Sequence, residues 1–214
     1  RKIIMKRRQF SAVAAATFTL PLLPVARALA ADTGYRTLNQ PVPTEVEPGQ
    51  VEVIEFFSYG CIHCMRFAPI LEDWKKGAPD KVTLRLEHVA FNQAFEPLQK
   101  IYYALVAIDQ VDLVHEQVFH ALQEQRVRLD QPDTLFPWMA EHGVDAERFE
   151  AAYNSFGVAT RARHATALQE AWGVEGTPAL GIAGRYYTDG SMARGFERML
   201  KITDELVAQE GGKT

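Results

Sequence analysis

Val51-Glu52-Val53-Ile54-Glu55-Phe56-Phe57-Ser58-Tyr59-Gly60-Cys61-Ile62-His63-Cys64 holds both cysteines of a 214-residue chain. Its first seven residues are rich in β-branched and aromatic side chains. They become apolar on both faces towards Phe57, as a strand in the middle of a sheet should. Ser58-Tyr59-Gly60 breaks that strand. Phe67, Ile70, Leu71 and Trp74 then recur at helical spacing, so a helix is expected from Cys61 to about Lys76, with Pro69 kinking it from inside. The order is strand, turn, helix, with Cys61 at the helix start and Cys64 one turn deeper.

Two cysteines spaced C-x-x-C can pass between dithiol and disulfide with little backbone movement, but the same spacing serves metal sites, haem attachment and local staples. Haem attachment requires His where this chain has Met65. A zinc site requires two further ligands; there is no second C-x-x-C, and His115 and His120 lack a ligand spacing. As a staple the pair closes so short a loop that it restrains the unfolded chain by only ~2 kcal/mol. The position after a strand and at a helix start favours redox chemistry. Unsatisfied N–H groups and the helix dipole stabilise a Cys61 thiolate, and His63 can donate a hydrogen bond or bring positive charge to the same sulfur. Cys61 is expected to be the exposed nucleophile or leaving group, and Cys64 the deeper partner that resolves or re-forms the bond. No metal or other cofactor is expected beyond the redox-active Cys61–Cys64 disulfide. Glu55, six residues before Cys61, has two readings: a solvated carboxylate, or a buried proton acceptor for Cys64. His88 is read as a satisfied, half-buried structural histidine.

Around this stretch the chain alternates in an α/β manner. Residues 35–38 suit a short edge strand and residues 82–89 a second main strand, giving a right-handed β–α–β unit with parallel strands. Residues 93–172 contain no convincing strand but several amphipathic segments: 96–108, 113–125, 134–142 and 145–172. Asp133 and Asp145 are candidate N-caps and Gly143 a C-terminal stop. This block is too large for a simple crossover, so it is read as a helical domain, residues 93–165, inserted into a scaffold made of residues 31–92 and 166–214. Gly176-Thr177-Pro178 leads into a strand at 179–182, a turn at Ala183-Gly184, a returning strand at 185–187 and a terminal helix from Met192 to about Val207.

Residues 1–30 contain six basic residues and no acidic one. Lys6-Arg7-Arg8, the apolar run from Phe10 to Val25 and Ala28-Leu29-Ala30 match the three parts of an export signal, cleaved near Ala30. Met5 is a candidate initiator, and Arg7-Arg8-Gln9-Phe10 leaves both the general secretory and twin-arginine routes open. The remaining residues hold 17 Lys and Arg against 27 Asp and Glu, a net of −10 that argues against nucleic-acid binding.

Glu55-Phe56-Phe57-Ser58 before Cys61-x-His63-Cys64, Pro69 five residues after Cys64, Gly176-Thr177-Pro178 and the inserted helical block together resemble the DsbA-like branch of the thioredoxin superfamily. The resemblance covers nearly the whole chain after the signal. It implies a thioredoxin fold, a central mixed sheet flanked by helices, and an exported periplasmic monomer. It also implies a cis Thr177–Pro178 bond beside the cysteines, with the Thr177 backbone pairing with an extended substrate segment. The implied activity is donation of the disulfide to folding exported proteins through a mixed disulfide at Cys61, with reoxidation by a quinone-linked membrane partner of the DsbB type. Ile62 stands where the family commonly has proline, which restores an N–H and modulates the redox potential. Leu86 stands where the family often has a lysine facing the counterpart of Glu55. The rival readings are a reductase or isomerase using the same residues, and a binding protein or chaperone with an incidental disulfide.

Overall fold

The computed structural model describes residues 32–212, so the export signal lies outside the described residues. The chain enters its sheet through a two-residue strand, β1 (Arg36–Thr37), and then forms β2 (Val51–Phe57), whose seven residues are all buried. Helix α1 (Ile62–Gly77) and strand β3 (Val82–His88) complete a parallel β–α–β unit, with Val51 opposite Val82 and Phe57 opposite His88. Pro69 sits inside α1 without ending it.

A short 3-10 turn (Gln93–Phe95) and five helices follow: α2 (Glu96–Ala107), α3 (Val111–Gln123), α4 (Pro132–Glu141), α5 (Ala146–Tyr153) and α6 (Phe156–Trp172). The chain then returns to the sheet as the hairpin β4 (Ala179–Ile182) and β5 (Tyr186–Asp189). It closes with α7 (Gly190–Ala193) and α8 (Phe196–Glu210). The sheet order is β1-β5-β4-β2-β3, parallel between β2 and β3 and antiparallel elsewhere. This is the mixed, helix-flanked sheet expected of a thioredoxin fold, and the helical block enters between β3 and β4.

Side-chain parity on β2 distributes the core. Val51 and Val53 face Phe67 and Leu71 of α1 and Met199 and Leu206 of α8. Ile54 and Phe56 face the other way, against Trp172 at the end of α6. Phe57, at the strand end, joins the core of the helical block together with Tyr59, Cys64, Ile101 and Phe119. The redox tetrapeptide is thus built where the sheet and the inserted helices share side chains. No helix among the described residues is long and apolar enough to cross a membrane.

Three local expectations change. The segment 145–172 is two helices. Asp145 caps α5 as expected, accepting from the Arg148 N–H, but Ser155 caps α6 by accepting from the Val158 N–H and breaks the run. Asp133 lies in the first turn of α4 and is not its cap; Pro132, pre-set in φ and lacking an N–H, takes the first helical position and moves the start forward to Gln131. The terminal helix is likewise divided. Asp189 starts α7 early by accepting from Ser191 and Met192, and Gly195 at φ 137 cannot continue a helix. The β4–β5 turn is as read: Ala183 and Gly184 both have positive φ, and a Cβ at Gly184 would lie 2.1 Å from the Val42 carbonyl oxygen.

Candidate active site

Cys61 occupies the N-cap position of α1, and no side chain caps that helix. Its sulfur therefore lies at a helix start, where the backbone N–H groups of His63 and Cys64 are directed at it. Both cysteines are free thiols, Cys61 half-buried and Cys64 fully buried. The Cys61 pKa is drawn down from 9.0 to about 5. The largest cause is a hydrogen bond from the Cys64 thiol; burial opposes it; the Thr177 side chain and the backbone of Cys64 and His63 add to it. Cys64 is displaced the other way, well above 9.0, first by burial and then by the same hydrogen bond and the negative charges of Cys61 and Glu55. Adjacent thiols of one pair are thus driven apart, one towards the thiolate and one towards the thiol.

Glu55 is buried, at 2% exposure. It shares strand parity with Val53 and Phe57, which places it on the α1 side of β2. Burial, and then the Cys61 charge, raise its pKa from 4.5 to about 8. The strand register sets Glu55 opposite Leu86, where a lysine could have neutralised it, and Glu55 Oε1 has no hydrogen-bond partner. A carboxyl so placed is held neutral near pH 7.

The turn that presents Cys61 is gripped at Tyr59, and residue spacing gave no sign of this. The Tyr59 N–H donates to His88 Nε2 at 3.0 Å, its carbonyl accepts from Gln123 Nε2 at 2.7 Å, and its hydroxyl is hydrogen-bonded to His115 Nδ1 at 2.9 Å. One of these partners comes from β3 and two from α3. His88 is completely buried, deeper than the half-buried position read from sequence, with Nδ1 unpartnered. Burial holds its pKa down to about 3, so the ring is neutral and Nε2 is free to accept. Phe57 packs edge-on against Tyr59, His88, Tyr102 and His115. Gly60 leaves room for the Phe95 ring, which a Cβ there would approach to 2.9 Å. The helical block therefore fixes the position of the reactive cysteine.

His63 is exposed, and what reaches the Cys61 sulfur from it is its backbone N–H. Its ring lines an open cleft with Thr177 and Pro178. Ile62, half-buried, is the first residue of α1. The Thr177–Pro178 bond is cis, and Thr177 meets Cys61 directly: in the thiol form Sγ donates to the Thr177 carbonyl oxygen at 3.3 Å, while the Thr177 side chain favours the thiolate. Among the described residues no group of three or more His, Cys, Asp or Glu side chains could hold a metal ion.

On the opposite face of the sheet, Arg85 bridges two buried carboxylates, Glu52 at 3.2 Å and Glu87, and Tyr103 donates to Glu87. This cluster was not legible in the sequence either, and it lies away from the sulfurs.

Known proteins resemble this chain in sequence and fold. A model of the DSBA-like thioredoxin domain matches residues 52–207. The thiol:disulfide interchange protein DsbA of Bordetella pertussis is 41% identical over 176 residues, covering 82% of this chain and 83% of the relative. That of Pseudomonas aeruginosa is 32% identical over 176 residues, covering 82% and 83%. The crystal structure of P. aeruginosa DsbA matches with a TM-score of 0.79 at 32% identity, covering 84% of this chain and 93% of that one. The Xylella fastidiosa oxidoreductase DsbA matches with a TM-score of 0.77 at 30% identity, covering 84% and 96%. The chain belongs to the DsbA-like family of thioredoxin-fold thiol:disulfide oxidoreductases.

Proposed function

We propose that this oxidoreductase works as an oxidase in the periplasm, passing the Cys61–Cys64 disulfide to folding exported proteins that contain cysteines. The observation that carries the direction is the divergence of the two thiols, with Cys61 drawn down to about 5 and Cys64 raised. A thiolate that the folded protein stabilises favours the reduced pair, so the oxidised pair gives its disulfide away.

A substrate thiolate attacks the Cys61 sulfur of the oxidised pair, and the S–S electrons leave on Cys64. Cys64 cannot remain a thiolate where it is buried, and protonated Glu55 supplies its proton. With a pKa of about 8, Glu55 can give the proton in this direction and take it back in the reverse one. The substrate's second thiolate then attacks its own sulfur in the mixed disulfide, and Cys61 leaves as a thiolate. The net result is an oxidised substrate and a reduced Cys61–Cys64 pair. Pairing of an extended substrate with the Thr177 backbone would tolerate many sequences, because main-chain hydrogen bonds ignore side-chain identity. Reoxidation falls to a quinone-linked membrane protein of the DsbB type.

The pH dependence of stability tests the direction. Folding lowers the Cys61 pKa, so the thiolate's contribution is complete above pH 9, partial at pH 7 and lost below pH 5. Only the reduced form has this contribution. Between pH 5 and pH 7 the stability of the reduced form is expected to rise relative to the oxidised form by about 1.5 kcal/mol, once the solvent reaching the half-buried sulfur is allowed for. Denaturant titrations of both forms measure the gap. The loop-closure effect of the disulfide is independent of pH and drops out of the slope. Glu55 titrates in the same window and more strongly in the reduced form, so the decisive comparison uses Glu55→Gln protein, in which a gap that stays flat contradicts a depressed Cys61 pKa.

A further inference from the structure

Next to Cys61 the surface opens into a cleft of about 480 Å³, with the Thr177–Pro178 bond along one side. Its lining carries two carboxylates, Glu175 from the loop before β4 and Asp189 from the end of β5, with the His63 ring on the side of α1 and no lysine or arginine. Pro178 and Phe196 are the apolar side chains among its lining residues.

A buried phenol holds one of these carboxylates: the Tyr187 hydroxyl donates to Asp189 Oδ2 at 3.2 Å. Asp189 Oδ1 takes the Ser191 and Met192 N–H groups at 2.9 and 2.8 Å, so this carboxylate is held in place by three donors. The nearby cation, Arg36, is committed elsewhere. Its guanidinium lies over the Tyr187 ring at 4.2 Å and donates to the Trp172 and Gly173 carbonyls, each at 2.7 Å. The Glu175 side chain is exposed. The cleft therefore offers a fixed carboxylate, Asp189, and an exposed one, Glu175, beside the apolar Pro178 and Phe196, which suits a side chain with an aliphatic stem and a cationic head.

We propose that this cleft is a subsite for a lysine or arginine beside the reacting cysteine of the substrate, so that the protein oxidises cysteines in basic segments faster than cysteines in acidic ones. The proposal deepens the oxidase reading and rests on it: Thr177 holds the substrate backbone without regard to sequence, while Glu175 and Asp189 add a charge preference. Acidic flanks would be disfavoured by repulsion as much as basic ones are favoured by attraction.

The test uses three two-cysteine peptides that differ only in the residue next to the first cysteine: Lys, Gln or Glu. Their oxidation by the oxidised protein is followed as kcat/KM. The expected order is Lys above Gln above Glu, with about a 10-fold span at low salt, the scale of two solvent-exposed charge interactions acting in opposite senses on the two charged peptides. The span should shrink towards unity near 1 M salt. Glu175→Gln alone should narrow it, and Glu175→Gln with Asp189→Asn should collapse it; asparagine retains the capping of α7.

A second arm removes the redox chemistry. The same peptides with serine in place of cysteine are titrated against the protein, and shifts of the Gly176 and Thr177 amide resonances are followed. Charge-ordered binding without oxidation would support the subsite and overturn the oxidase reading. Oxidation at equal rates for all three peptides, or a span that survives the double substitution, would overturn the subsite and leave the oxidase reading standing. Neither oxidation nor charge-ordered binding would overturn both.

Discussion

Cys61→Ser is expected to reduce catalysed oxidative refolding of a reduced, cysteine-containing substrate to the uncatalysed background, since the covalent intermediate cannot form. Cys64→Ser is expected to behave differently. Offered an oxidised peptide, it should attack through Cys61 and accumulate the mixed disulfide, because no second thiol is present to resolve it. A gel run without reductant reads both results. The asymmetry follows from burial, since Cys64 lies completely inside while Cys61 is half-buried at the helix start. Cys64→Ala adds a finer check. It removes the largest stabiliser of the Cys61 thiolate, so the pH at which Cys61 is alkylated should move up towards 9.0. Trapping through Cys64 in a Cys61→Ser protein would reverse the assigned roles.

Glu55→Gln is expected to stabilise the reduced protein by about 3 kcal/mol at pH 7 while leaving it unchanged near pH 4. The sign follows from the displacement. Folding raises this carboxyl from 4.5 to about 8, so the folded state holds a proton that the unfolded chain releases. Stability is unaffected below pH 4.5 and falls as pH rises from there to 8. Glutamine, neutral at every pH, removes that slope. In the oxidised protein the gain should be smaller, because the Cys61 charge that contributes to the displacement is absent. The same substitution should slow formation of the mixed disulfide by about 10-fold or more, the lower range for loss of a positioned proton donor. It should also abolish the limb of the rate profile near pH 8. Unchanged stability at pH 7 together with an unchanged rate profile would remove Glu55 from the mechanism.

Much of this could be read from one stretch of sequence because the information there is local. A β-branched run that stops at Gly60 and resumes at helical spacing places Cys61 at a helix start whatever the rest of the chain does. The register of Glu55 against Leu86 matches the position inferred from the family resemblance. The burial of Glu55 could not be read from its own strand, since parity gives a face but not what covers it; the packing of α1 on that face decides it. The grip on Tyr59 was out of reach for the same reason, as His88, His115 and Gln123 are 29, 56 and 64 residues away. His115 had drawn notice only as an unconvincing metal ligand. The breaks at Ser155 and Gly195 did carry local signals, a capping hydroxyl and a glycine, which the longer amphipathic pattern concealed.

A folded protein that holds Cys61 as a thiolate gives its disulfide away. Equilibration of the Cys61–Cys64 pair with glutathione buffers of graded poise, followed by acid quenching and thiol alkylation, tests it most directly. The pair is expected to be predominantly reduced in a buffer poised at about −180 mV, the level of an oxidising secretory compartment. A pair that remains oxidised there and becomes reduced only near about −270 mV, the potential of a thioredoxin-type reductant, would contradict the account.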